Sequence, residues 1–165
     1  MKLQTLIFII IFFISITKAI GCTCIAEKKS LKRKVKNEFY SSDIIFTGNA
    51  IAIKDLNTHP TRSSSGDPIQ YTFEIIKKLK GVDTKRKIQV ISTRGGSSCG
   101  YTFQIGKTYM VYANTSNYYG TTTENENDYT TSICKRNNHV ARVTKKEKRI
   151  LDRMSTNTSK SAYKL

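Results

Sequence analysis

Apolar residues are distributed along the chain in three ways. Leu6 to Ile16 is an almost unbroken run of Leu, Ile and Phe behind a cationic Met1-Lys2 start. Elsewhere the spacing is helical. Leu31, Val35 and Phe39 recur every four residues among lysines and arginines, which predicts an amphipathic helix over Glu27–Phe39. Near the end, Thr144-Lys145-Lys146-Glu147 has the form of a capping box, and Ile150, Leu151 and Met154 supply an apolar stripe for a second helix. Between the helices the pattern is that of strands. Ile44–Ile53 is rich in β-branched residues, with Gly48 marking a bulge or bend. Ile69–Leu79 alternates, with Ile69, Tyr71, Phe73 and Ile75 on one face and Gln70, Thr72 and Glu74 on the other. It forms a hairpin with Arg86–Thr93 across Lys80–Asp83. Lys107–Ala113 is a fourth strand, and the polar stretch Tyr118–Cys134 has room for one or two short ones ending at Cys134. Short strands at regular spacing with a helix at each end predict a mainly β class, a small barrel packed by helices.

The N-terminal run changes the compartment. Its length suits a signal peptide and is short for a membrane span, so a retained anchor is the weaker reading. Small residues allow cleavage before Ile20 or before Cys22. The expected organisation is a signal peptide at 1–21, one domain at 22–154 and a disordered tail at 155–165. No second apolar run of spanning length follows. The formal charge is +16; without Lys2 and Lys18, 26 basic residues still face 12 acidic ones. Such a surface suits acidic partners: glycosaminoglycans, anionic envelopes or an acidic protein. Export disfavours nucleic acid as the partner. The basic residues Lys28, Lys29, Lys32, Arg33, Lys34 and Lys36 are the candidate polyanion site, and a plain solvated helix face is the simpler alternative.

Four cysteines, Cys22, Cys24, Cys99 and Cys134, form an even set, which in an exported chain predicts two disulfides. A bond between Cys22 and Cys24 would be strained, so each should reach a distant cysteine; spacing alone does not choose the partners. No CxxC pair is present, and His59 and His139 lack ligand-like spacing, so neither a metal nor a cofactor of its own is expected. Without a triad, metal motif or paired carboxylates, an enzyme is the least supported class. The glycine-rich Arg94–Gly100 lacks the helix and lysine of a phosphate cradle and is expected to bend so that Cys99 can reach another segment. Asn57–Pro68 is a turn-rich loop. Asn114-Thr115-Ser116 and Asn157-Thr158-Ser159 are glycosylation sequons, meaningful in a eukaryote.

In order along the chain, "CTC", "FYSSDIIFTG", "YTFEIIKKLKG", "CGYTFQIGKTYMVYA" and "TSIC" resemble the netrin-like domain of tissue inhibitors of metalloproteinases, over Cys22 to about Met154. The resemblance implies a five-stranded OB-fold-like barrel with flanking N- and C-terminal helices. It also implies disulfides Cys22–Cys99 and Cys24–Cys134. By the same resemblance, a mature chain starting at Cys22 would present its α-amino group and carbonyl oxygen to the zinc of an extracellular metalloproteinase. Thr23 would enter the protease's S1′ pocket, Cys24 would anchor the strip, and Ser97 and Ser98 would form the adjoining ridge. The competing reading is a non-inhibitory netrin-like binding module that holds polyanions. In a bacterium "AIGC" would loosely resemble a lipoprotein cleavage box, making the protein periplasmic or lipid-anchored; Lys18 and Ala19 argue against that.

Overall fold

The computed structural model describes residues 22–24, 28–59, 61–81, 85–116 and 129–162, the last six by backbone alone. The expected signal peptide, and most of the Tyr118–Cys134 stretch, lie outside the described residues. Among the described residues two helices, α1 (Leu31–Ser41) and α2 (Lys145–Ala162), flank six strands. These are β1 (Ile44–Asp55), β2 (Pro68–Lys80), β3 (Lys87–Thr93), β4 (Thr108–Thr115), β5 (Tyr129–Thr130) and β6 (Asn138–His139). Among the described residues no helix is long and apolar enough to cross a membrane.

The chain is mainly β, as its pattern predicts, but the sheet is not a regular five-stranded barrel. β1 pairs with β2 and β4, β2 with β3, and β4 with β5 and β6, all antiparallel, while β3 and β5 run parallel. Five strands therefore close a ring, and β6 adds to its rim beside β4. Among the described residues, β5 pairs with β3 at Val90↔Tyr129 and Ile91↔Thr130.

Alternating side chains of the same strands fill two cores. Ile44, Phe46, Tyr71, Phe73, Tyr109 and Val111 point into the ring. Ile45, Met110 and Tyr112 point the other way, against Val35 and Phe39 of α1 and Leu151 of α2. This is why the runs "IIF" and "YMVY" are continuously apolar: the first half of β1 and most of β4 are buried on both faces. Phe103 lies at the centre of the ring aromatics, its centroid 5.0 Å from Tyr71, 4.9 Å from Phe73 and 5.0 Å from Tyr109, all edge-to-face.

Both helix boundaries differ from expectation. α1 starts at Leu31, not Glu27, because Ser30 caps it: its hydroxyl accepts from the Arg33 N–H at 3.4 Å. At its other end the Lys80 ammonium donates to the carbonyls of Phe39 (2.8 Å), Tyr40 and Ser42. Burial lowers the Lys80 pKa, with the Asp43 carboxylate opposing. α2 continues beyond Met154 to Ala162, so the expected tail is helical for most of its length; extending a formed helix needs no new nucleation. Half of the anticipated capping box is made, the Thr144 hydroxyl accepting from the Glu147 N–H at 3.1 Å. The Glu147 carboxylate turns inward instead, taking a two-pronged bond from Arg136 (3.0 and 2.7 Å) and the Tyr112 hydroxyl at 3.2 Å. Burial, ahead of the Glu147 charge, pushes the Tyr112 phenol strongly upward. Gly48 sits at a register shift of β1, and a Cβ there would lie 2.8 Å from the Glu74 carbonyl oxygen. Gln70, expected on the polar face of β2, is buried against Gln89, their amides 3.3 Å apart.

Candidate functional site: a disulfide-pinned ridge

The strip Cys22-Thr23-Cys24 is attached at both ends. Cys22 is bonded to Cys99 and Cys24 to Cys134, each pair with Cα atoms 5.2 Å apart. The two arms of CxC thus diverge to two loops, and these pairs are the ones the resemblance implies. Thr23 between them is exposed.

Each receiving loop is shaped by local chemistry. After β3, Gly96–Ser98 forms a single 3-10 turn, and Cys99 takes a left-handed conformation (φ 61°) that reverses the chain toward the strip. Gly100 follows because nothing larger fits: a Cβ would lie 2.0 Å from the Thr93 carbonyl oxygen. The turn is tied down where the Thr93 hydroxyl donates to the Ser98 carbonyl at 2.8 Å and the Tyr101 N–H donates to the buried Ser92 hydroxyl at 2.8 Å. The sequence C-G-Y-x-F therefore places the disulfide anchor and the ring's central aromatic on one short segment.

The second loop, 131–137, hangs from β4 by polar groups. The Thr131 hydroxyl donates to the Tyr112 carbonyl at 2.7 Å, and Asn137 accepts from the Tyr112 N–H at 2.9 Å. The Asn137 amide also donates to the Thr131 hydroxyl (2.7 Å) and the Ser132 carbonyl (3.0 Å). The loops touch each other: the Ile133 N–H donates to the Cys99 carbonyl at 2.9 Å. Strip and loops form one ridge, held by covalent bonds and buried polar groups.

A third segment joins it. The Ser65 and Ser98 hydroxyls are 2.8 Å apart, and the Gly95 N–H donates to the Ser65 carbonyl at 2.9 Å. This turn-rich loop is braced by polar contacts. Asp67 accepts from the Ser64 N–H (2.7 Å) and the Asn57 amide (3.0 Å), and Arg94 bridges Asp67 and Asp55. The Asn57 N–H, ahead of Arg94, holds the Asp55 carboxyl below its usual range.

Of the sequence candidates, Cys22, Thr23, Cys24, Ser97 and Ser98 share this ridge. The spread of Lys28, Lys29, Lys32, Arg33, Lys34 and Lys36 is only partly gathered. Lys28 and Lys29 precede α1, Lys34 is half-buried, and Lys32, Arg33 and Lys36 line one groove with Ser30, Asn37 and Tyr40. Ser65 and the 40% exposed Ile133 belong to the ridge and carried no local signal of it. The Sγ atoms of Cys22, Cys99 and Cys134 lie within 4.8 Å of one another; as disulfides they present no thiolate to a metal. His59 and His139 sit on different elements, a loop and β6, and His139 lies against the Tyr109 ring at 4.3 Å. Asn114 is held inside its surroundings, its Nδ2, the atom a glycan would occupy, donating to the Ser41 carbonyl at 2.6 Å. No family model matches this chain, and none of the curated proteins searched does.

Proposed function

We propose that this chain is a secreted inhibitor of zinc metalloproteinases, acting through the ridge at Cys22–Cys24. The carrying observation is the exposed Thr23 suspended between two cysteines that are each bonded to a different, mutually hydrogen-bonded loop. A strip held this way loses little conformational freedom on docking. The closed five-strand ring with helices beside it is in keeping with an OB-type, netrin-like barrel.

On this reading, cleavage before Cys22 frees its α-amine. Such an amine has a pKa near ~8, so a neutral lone pair is present near neutral pH. That nitrogen and the Cys22 carbonyl oxygen would occupy two positions on the protease's zinc and displace its water. Thr23 would fill the first pocket beyond the scissile position, and Ser97 and Ser98 would extend the contact. The zinc is the partner's.

The test is the N-terminal residue and unreduced mass of the exported protein, followed by inhibition of a panel of zinc endopeptidases. A chain starting at Cys22 with a free amine is expected to inhibit. Adding one alanine before Cys22 keeps both disulfides but places the amine in a peptide bond, and is expected to abolish inhibition. Equal inhibition by the extended protein would sink the reading.

A further inference from the structure

The acids on the two helices do not neutralise the helices' own exposed cations. α1 carries four cations and one acid, and α2 six and two. Glu38 pairs with Lys135 (3.0 Å), Glu147 with Arg136 (2.7 Å) and Asp152 with Lys77 (2.7 Å), cations that all come from other parts of the chain. Among the described residues Lys32, Arg33 and Lys36 face no acid. They line an open groove of about 440 Å³ with Ser30, Asn37 and Tyr40.

This arrangement is costly for an isolated helix. Lys32 and Lys36 are like charges at i,i+4, and Lys32 and Arg33 lie in a first turn that has no acid, where the helix dipole disfavours cations. A bound polyanion would relieve both effects. Tyr40, 73% exposed, adds an aromatic face at the same groove.

We infer that this groove binds a linear anionic polysaccharide carrying sulfate or carboxylate groups, with Lys32, Arg33 and Lys36 pairing its charges. Tyr40 stacks on a sugar ring, and Ser30 and Asn37 hydrogen-bond hydroxyls. The chemistry favours a glycan over a lipid surface, because the apolar side of α1 is spent inward on Val35 and Phe39 and leaves no wedge for a bilayer. The exported, disulfide-bonded character read from the sequence disfavours nucleic acid. Exposed Lys145, Lys146, Arg149 and Arg153 on the neighbouring α2 strengthen the local positive field.

The experiment measures binding of a size-defined heparin oligosaccharide to the full secreted chain across a salt series. The Lys32→Ala/Arg33→Ala/Lys36→Ala variant is expected to weaken binding about tenfold or more and to flatten the salt dependence. Tyr40→Ala is expected to weaken it about threefold with the salt dependence unchanged, as loss of a stacking contact should. The control variant Lys54→Ala/Lys87→Ala/Lys107→Ala removes equal charge from exposed strand and loop positions and should bind nearly as the parent does. Equal losses in the helix and control variants would overturn the site. Tighter binding of polyglutamate or phosphatidylserine vesicles than of the oligosaccharide would overturn the glycan. The alanine-extended protein should bind the oligosaccharide unchanged, so this inference and the inhibitory reading fail separately.

Discussion

On the helix-covered side of the ring, Val35, Phe39 and Leu151 press their side chains onto Ile45, Met110 and Tyr112, an apolar layer flanked by the polar ties of Glu147 and Lys80. On the ridge side, Cys22–Cys24 lies on loops whose anchors are two disulfides and the hydroxyls and amides of Ser92, Thr93, Thr131 and Asn137. The contrast explains the exposure of each side. Apolar packing consumes side chains, since every residue that stabilises is thereby hidden. Disulfides and backbone-directed hydrogen bonds stabilise through atoms near the main chain, which leaves Thr23, Ser97 and Ile133 facing outward. The inhibitory function proposed above would make use of such an edge, exposed and tied down at both ends.

The largest break in this comparison should come on the helix side. Phe39 is 2% exposed, and Phe39→Ala is expected to cost about 3–5 kcal/mol in urea unfolding, with disulfide mapping unchanged. A loss under about 1 kcal/mol would mean that the helices contribute little to stability. On the ridge side, Cys24→Ser with Cys134→Ser should cost about 2–5 kcal/mol, since that bond spans a sequence separation of 110. Limited proteolysis should then cut near the strip before the strands. Both cysteines must be replaced together, because a lone Cys134 thiol would lie within 4.8 Å of the remaining bond and could exchange with it.

A smaller effect sharpens the picture where the two sides meet. Asp43, at the start of β1, accepts from the Thr115 N–H and hydroxyl, both at 2.8 Å. The hydroxyl bond first, then the N–H, lowers its pKa from 3.8. A carboxyl lowered on folding contributes stability that is fully present above 3.8 and fades as pH falls through the lower folded value. Asp43→Asn should therefore destabilise at neutral pH by less than about 1 kcal/mol, as expected of an exposed group, with the difference from the parent closing below about pH 4. A difference that persists unchanged at low pH would show that the charge is not involved.

Much of the strand layout was legible because the apolar and polar residues of β2 alternate in sequence from Ile69 to Ile75 and because β-branched residues cluster in β1. β6 was not: Asn138-His139 has no apolar pattern, and becomes a strand only because Met110 and Tyr109 of β4 offer it a register. The ridge was legible at Cys22–Cys24 and Ser97–Ser98, where cysteines mark the chain. Ser65 was silent, since its place beside Ser98 depends on the Arg94 bridge to Asp55 and Asp67, side chains brought together by the β1–β2 hairpin.

What the sequence determined by itself was local: the period of each apolar run, the even cysteine set, the excess of positive charge, and the glycine-rich bend around Cys99. Tertiary structure alone decided that β4 and the first half of β1 are buried on both faces, that β5 closes the ring between β3 and β4, and that Glu147 serves Arg136 and Tyr112 as well as its own helix. It also decided which three of six neighbouring cations share a groove. Periodicity and turn chemistry act over a few residues, whereas these outcomes depend on which distant surfaces meet, and a single chain read in order carries no direct record of that.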